Sequence, residues 1–170
     1  ITGKTPSIAP NSTHIRSTTL GVGDAGLITI ATPLLTLNNG GVITSSTVNP
    51  ATGNAGEIHI TAKEVEVKGM EPVSLLPSAI RSATLSAGHA GLVKIESDRI
   101  RVTDGGRITA LTASSGDAGE IQLQATQSIQ VTGSSASLSP SLISVGTNTL
   151  AYPTRKAFNL PDVQIGRAHV

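Results

Sequence analysis

The stretch Gly23-Asp24-Ala25-Gly26-Leu27-Ile28-Thr29-Ile30 decides the fold of this chain, because it recurs three more times. The later copies are Gly53-Asn54-Ala55-Gly56-Glu57-Ile58-His59-Ile60, Gly88-His89-Ala90-Gly91-Leu92-Val93-Lys94-Ile95 and Gly116-Asp117-Ala118-Gly119-Glu120-Ile121-Gln122-Leu123. Successive copies begin 30, 35 and 28 residues apart. A period in this range is typical of repeat proteins in which each repeat packs only on its neighbours.

Each copy combines a tight turn with the start of a strand. Gly-x-Ala-Gly supplies small residues where the backbone must turn sharply or approach another backbone closely. Two apolar residues follow with one polar residue between them, which predicts a strand with one buried and one solvent-facing side. The second position of the motif is Asp24, Asn54, His89 or Asp117. Because this position accepts an acid, an amide and an imidazole, we expect it to face water.

Three short strands, here called a, b and c, are predicted in each repeat of about 28–35 residues. Strand a carries the apolar pair of the motif itself. Strand b carries the pairs Leu35/Leu37, Val65/Val67, Ile100/Val102 and Ile129/Val131. Strand c begins at Ile15, Ile43, Ile80, Ile108 and Ile143. This fixed order of strand signals predicts that equivalent strands of successive repeats stack on one another.

Two further columns follow from the c strands. Four residues after each c-strand isoleucine stands a threonine: Thr19, Thr47, Thr84, Thr112 and Thr147. Stacked threonines can hydrogen-bond from hydroxyl to hydroxyl, and the alternation along the strand places this column inside or at a corner. The position directly after each isoleucine reads Arg16, Thr44, Arg81, Thr109 and Ser144. The alternation of Arg with Thr or Ser indicates a unit of two repeats.

The connections between strands b and c also alternate in length. Residues 38–41 and 103–106 are short, whereas residues 3–14, 69–79 and 133–142 are long, so we expect the long ones to protrude on one side. The short connections contain Asn-Gly and Asp-Gly, which are strong hairpin signals. An antiparallel meander is therefore the competing interpretation.

These regularities predict an all-β fold, a parallel β-helix over residues 1–147 in which each coil lies about 4.7–4.9 Å above the last. The coils are marked by Gly23, Gly53, Gly88 and Gly116. Tyr152 and Phe158 are the only aromatic residues of the chain, and both follow the repeats. A core of stacked aliphatic rows needs no aromatic side chains. We expect residues 148–164 to form an irregular tail.

Composition excludes several classes of protein. The net charge of +1 is spread over single residues, which disfavours binding to nucleic acid, and no apolar run is long enough to span a bilayer. The absence of Cys excludes disulfides and thiol chemistry. The chain begins without Met or a signal peptide, so we interpret it as a piece of a longer protein. Residues 165–170 match a widely used sequencing adapter translated in frame, and we interpret them as a read-through artefact.

One group of charged residues is a candidate site. Lyases and hydrolases with β-helical folds need carboxylates from adjacent coils, with a basic residue nearby. The residues that could supply them are Glu64, Glu66, Glu96, Asp98, Arg99 and Arg101. Glu66 and Arg101 occupy equivalent outward positions on successive coils, and this placement favours an exposed ion pair.

The remaining polar motifs predict no site. His59 is expected to face outward and His89 to lie in a turn, so the two are not placed to share a metal. The acids at the second motif position do not fit the calcium-binding nonapeptide, and no Lys-Ser/Thr follows the glycines as in a phosphate loop. Asn11-Ser12-Thr13 matches the glycosylation acceptor. An ice-binding role of the threonine column is disfavoured by its inward placement. We predict no catalytic, cofactor-binding or metal-binding residue.

The Gly-x-Ala-Gly-x-Ile-x-Ile, x-Leu-x-Leu and Gly-Gly-x-Ile-Thr segments over residues 1–147 resemble the repeats of filamentous-haemagglutinin-type exoproteins, especially cyanobacterial ones. The resemblance implies a right-handed β-helical shaft that an outer-membrane pore exports, with adhesion or cell-surface interaction as its role. It places no functional residue of the family on this chain, and it identifies neither a receptor nor a polysaccharide ligand. The alternative, from another class, is a pectin-lyase-like carbohydrate-active enzyme.

Overall fold

The computed structural model describes residues 13–147, and this part of the chain contains nine β-strands and no helix. The strands are β1 His14–Thr19, β2 Ile28–Leu37, β3 Val42–Thr47, β4 Ile58–Lys68, β5 Ala79–Thr84, β6 Leu92–Thr103, β7 Arg107–Thr112, β8 Glu120–Thr132 and β9 Leu142–Thr147. The expected tail at 148–164, the adapter match at 165–170, both aromatic residues and most of the Asn11-Ser12-Thr13 motif lie outside the described residues.

The strands form two parallel sheets whose members alternate along the chain. The five-stranded sheet has the order β1-β3-β5-β7-β9, and the four-stranded sheet has the order β2-β4-β6-β8. Every pairing between these strands is parallel. The Asn39-Gly40 turn therefore joins strands of different sheets, and so does Asp104-Gly105. The hairpin interpretation is wrong, because the dipeptides that favour hairpins turn the chain from one sheet into the other.

The register stacks the four motif copies as predicted. Ile58 pairs with Ile28 on one side and Val93 on the other, while Ile60 pairs with Ile30 and Ile95. Ile58 is 0% exposed and Ile60 is 1% exposed. Isoleucines of the five-stranded sheet join the same apolar cluster. The core therefore lies between the two sheets and consists of rows of aliphatic side chains, which confirms the predicted burial.

Strands a and b are continuous, so each repeat contributes two strands instead of the three predicted. Cα pairing lapses only at the bend, at Lys63 and its equivalents. The inward positions run Ile58, Ile60, Ala62, and then skip to Val65 and Val67. At the bend, the alternation of inward and outward side chains therefore shifts by one residue. The backbone pairing with the neighbouring strands resumes directly after the bend. In β8 an extra residue is absorbed by a register shift at this place.

The motif glycines allow neighbouring repeats to approach backbone to backbone. A Cβ atom added to Gly88 would overlap the carbonyl oxygen of Gly53, and one added to Gly116 would overlap that of Gly88. Main-chain hydrogen bonds continue through the turn, since Ala55 N donates to His89 O at 2.8 Å. The first motif position therefore requires glycine, because backbone atoms of the previous repeat occupy the space that a Cβ atom would need.

The long connections of alternate repeats lie on the same side of the molecule. Residues 69–78 and 133–141 flank the short turn at Asp104, and Ser137 Oγ donates to Met70 Sδ at 3.5 Å. The two short turns contact the next long connection alike, since Gly40 N donates to Ser78 Oγ and Gly105 N donates to Ser141 Oγ. The third long connection, predicted at 3–14, lies almost entirely outside the described residues.

We expect limited proteolysis to cut first within residues 69–78 and 133–141, because these connections carry few backbone ladder bonds. The Glu71 carboxylate accepts from the backbone amides of Val73 and Ser74. Hydrogen bonds from Ser74 and Val73 hold the pKa of Glu71 below its ordinary value. Glu71→Gln should therefore speed cutting at neutral pH. The difference should fade as the pH falls through the lowered pKa of Glu71, where the wild-type carboxylate also becomes protonated.

The cut sites are read by mass spectrometry of the first fragments. The matched control is Glu57→Gln, which removes an exposed carboxylate from a motif turn. First cleavage within 58–67, before either long connection is cut, would contradict the assignment of the repeats.

Candidate functional site

The predicted carboxylate group is divided by the structure into separate contacts. Glu64 lies opposite Arg99 in the register and Glu66 lies opposite Arg101. Arg101 Nη2 donates to Glu64 Oε1, and Arg101 Nε lies 4.0 Å from Glu66 Oε1. The expected meeting of Glu66 and Arg101 is thus a three-membered cluster in which one guanidinium bridges two carboxylates of the previous repeat. Such a cluster holds the carboxylates in place and leaves neither as a free base.

The other two acids of the group point elsewhere. Glu96 lies on the strand a segment, where its Oε1 is 3.0 Å from Lys94 Nζ. Asp98 lies at the bend, where its Oδ1 accepts from Thr126 Oγ1 at 2.7 Å. The six residues singled out from the sequence therefore occupy three places on the four-stranded sheet. The four acids of this group therefore do not converge in one groove.

The histidines also lie in separate places. His59 Nε2 lies 2.8 Å from Glu57 Oε2, on the outward side of β4. His89 lies in its motif turn, with Nδ1 3.0 Å from Asp117 Oδ2. Among the described residues no group of three or more His, Cys, Asp or Glu side chains is placed to hold a metal ion.

A ladder of side-chain hydrogen bonds links the motif turns, and sequence reasoning missed it. Asp24 Oδ1 accepts from the backbone N of Asn54 at 2.7 Å, and Asn54 Oδ1 accepts from the backbone N of His89 at 2.9 Å. His89 Nδ1 accepts from the backbone N of Asp117 at 2.9 Å. The second motif position therefore needs a short side chain with an acceptor atom. The signal was in the sequence, because Asp, Asn and His share that property.

Removing one rung of this ladder should destabilise the protein. Asn54→Ala leaves the His89 amide without its acceptor, and we expect a loss of about 0.5–1.5 kcal/mol in the free energy of unfolding. Asn54→Asp keeps the acceptor and should lose far less. Urea denaturation of both variants checks this, and equal losses would show that the ladder contributes nothing.

A second ladder ties the c strands to the second motif glycine. Ser45 Oγ accepts from Gly56 N at 2.8 Å, and Ser82 Oγ accepts from Gly91 N at 2.7 Å. The equivalent residue in β7 is Ala110, which has no hydroxyl. There the glycine adopts a φ of +77°, at Gly119. The turn thus changes its backbone conformation where the serine is absent.

The predicted threonine column is present, and its three central members are buried. Thr47 Oγ1 lies 2.5 Å from Thr84 Oγ1, and both side chains are buried, as is Thr112. The register carries the column from β1 to β9. Because its central members are inside the molecule, the column offers no exposed threonine array of the kind that an ice-binding surface requires.

A pocket of 430 Å³ lies between the two long connections. Met70, Pro72 and Leu75 line one side, and Ala136 and Ser137 line the other. Two acids also line the pocket, Glu71 and Asp104. The Glu71 carboxylate accepts from the amides of its own connection, and Asp104 Oδ2 lies 3.7 Å from Lys68 Nζ, so both carboxylates already have partners in the described structure.

No protein-family model, curated protein or solved structure matches this chain. Residues 13–147 contain no helix that is long and apolar enough to cross a membrane.

Proposed function

We propose that the chain is a segment of the shaft of a secreted bacterial surface exoprotein of the filamentous-haemagglutinin type. In this proposal the two parallel sheets belong to a right-handed β-helix, and an outer-membrane pore exports the parent protein. The segment acts as a stiff spacer in adhesion or cell-surface contact and carries out no reaction.

The observation that carries this proposal is the repetition of the same backbone contacts in successive repeats. Glycines touch the previous repeat, the motif side chains form one ladder, and serines and threonines form two others. These contacts are made to neighbouring repeats. They engage the polar residues that recur at the same position of each repeat, so those residues serve the stacking. An element built this way can be lengthened by adding repeats, which is what a shaft requires.

The exposed polar groups support a structural role as well. Arg101 bridges Glu64 and Glu66, while Glu96 and Asp98 have partners of their own. A lyase of the β-helical class would need such acids to converge on a substrate.

Two measurements test the proposal. The complete reading frame should encode an amino-terminal secretion domain, and a gene for an outer-membrane pore should lie beside it. The repeat region should turn over no acidic polysaccharide, with or without calcium. Turnover that is lost in Glu66→Gln or Asp98→Asn would replace the shaft with the carbohydrate-active enzyme. Glu120→Gln is the control, because it removes an exposed carboxylate of the same sheet that lies outside the candidate group.

A further inference from the structure

The outer face of the five-stranded sheet is basic and carries no acid. Its strands contain Arg16, Arg81 and Arg107. The chain has 11 acidic residues, and none of them lies on β1, β3, β5, β7 or β9. All the acids of the described strands lie on the four-stranded sheet. The two sheets thus differ in charge, although the chain as a whole has a net charge of only +1.

The three arginines lie in file across the strands. Arg16 of β1 and Arg81 of β5 are each in register with Thr44 of β3, so they stand two strand spacings apart, about 9.5 Å. Arg107 of β7 is in register with Ala79, two residues before Arg81 on the neighbouring strand. Arg81 and Arg107 are adjacent to the buried Ile80 and Ile108, which places them on the outer side. Arg16 follows Ile15, which is 39% exposed on the terminal strand but pairs with the buried Ile43, so Arg16 lies on the same side. The file therefore runs along the direction in which the repeats stack.

None of these guanidinium groups has a carboxylate partner within residues 13–147. The ion pairs that lysine and arginine side chains form in this part of the chain involve Lys68, Lys94 and Arg101. The nearest acidic turn holds Asp104, which lies 3.7 Å from Lys68 Nζ. Arg107 Nε is buried and has no hydrogen-bond acceptor in the described structure.

Arg81 is held close over the sheet. Its Nε donates to Thr44 Oγ1 at 3.3 Å, and Thr44 is 2% exposed. Partial removal of water lowers the pKa of the Arg81 guanidinium, yet an arginine stays cationic at every physiological pH. A guanidinium with no internal counter-charge among the described residues attracts an external anion.

We propose that this face, defined by Arg16, Arg81 and Arg107, binds a linear acidic polysaccharide whose uronate carboxylates pair with the three guanidinium groups. Hydroxyls of Thr18 and Ser46 lie on the same face, within hydrogen-bond distance of each other, and can accept or donate to sugar hydroxyls. Guanidinium forks match carboxylates in geometry. The proposal rests on the outer face of one sheet, and it stands whether or not the parent protein is an adhesin.

A polysaccharide fits this face better than a nucleic acid. Single-stranded nucleic acids bind through aromatic stacking platforms as well as through charge, and residues 13–147 contain no aromatic residue. A duplex requires more cations than three to bind at physiological salt. A linear polysaccharide with one carboxylate per sugar unit can be bound by a surface that presents cations and hydroxyls at intervals along its length.

The test measures binding of polygalacturonate oligosaccharides to the 170-residue chain by calorimetry at low ionic strength. Neutral dextran and single-stranded DNA are the comparison ligands. Arg16→Gln with Arg81→Gln and Arg107→Gln should weaken binding at least about tenfold, since three charge-assisted contacts are lost. The matched control is Lys63→Gln with Lys94→Gln and Arg99→Gln, which removes the same charge from the four-stranded sheet and should change binding less than about twofold.

A second variant keeps the test decisive if the triple substitution impairs folding. Ser46→Glu adds a carboxylate to the file and leaves every arginine in place, so it should weaken binding while the circular dichroism spectrum stays unchanged. Three results would overturn the proposal. They are no binding of polygalacturonate by the wild-type chain, equal loss in the control triple variant, and tighter binding of DNA than of polygalacturonate.

Discussion

Gly88→Ala is expected to destabilise the chain by about 3 kcal/mol or more, because the new methyl group has no space. It would overlap the carbonyl oxygen and carbon of Gly53, which are backbone atoms of the previous repeat. Neither can move without breaking the ladder on both sides, where Ala55 N donates to His89 O. Chemical denaturation monitored by circular dichroism measures the loss.

The control for this substitution is Gly21→Ala. No atom lies within 4 Å of the added Cβ, and the backbone of Gly21 does not need a positive φ. We expect a change within about 0.5 kcal/mol. A tolerated Gly88→Ala would show that neighbouring repeats do not touch at this turn, and the stacking of the four motif copies would then be in doubt.

Ile60→Ala is the second substitution with a large expected effect, a loss of about 2–5 kcal/mol. Ile60 is 1% exposed and lies in register between Ile30 and Ile95. Truncation leaves a cavity that two rigid neighbouring strands cannot fill, because each is fixed by its own ladder bonds. The loss combines the apolar area returned to water on unfolding with the contacts of the missing atoms.

His59→Ala is the matched control for Ile60→Ala. The two residues are adjacent, but His59 lies on the outward side, and its ring contacts the exposed acid Glu57. We expect the free energy of unfolding to change within about 0.5 kcal/mol. Equal losses at the two positions would contradict the assignment of inward and outward sides on β4, and with it the register of the whole four-stranded sheet.

The rows of the core could be predicted from the sequence because they depend on period two and a fixed repeat. Ile58, Ile60 and the threonines of the c strands lie where these periods place them. The continuity of strands a and b could not be predicted, since the polar residues at the bend look the same whether a strand ends or curves. The register decides this, and it becomes visible only when the neighbouring repeats are in place.

The ladder of motif side chains could not be predicted for a different reason. The sequence predicts only that the second motif position faces water. Asp, Asn and His can accept a hydrogen bond from water or from a neighbouring backbone amide, so the residue types do not distinguish the two partners. Asn54 Oδ1 bonds an amide of the next repeat, a contact between residues 35 positions apart. The contact of Arg101 with Glu64 in addition to Glu66 could not be predicted either. The repeat places Arg101 opposite Glu66, but it does not show how far the arginine side chain extends along the neighbouring strand.

The central claim is that the chain is a solenoid that grows only along its axis, and small-angle X-ray scattering of lengthened chains tests it directly. Residues 53–115 form one unit of two repeats, and two further copies can be inserted before Gly116. The β-helix predicts that the particle lengthens by four strand spacings, about 19 Å, while its cross-sectional radius stays constant. A cross-section that widens as repeats are added would contradict the solenoid and, with it, the shaft.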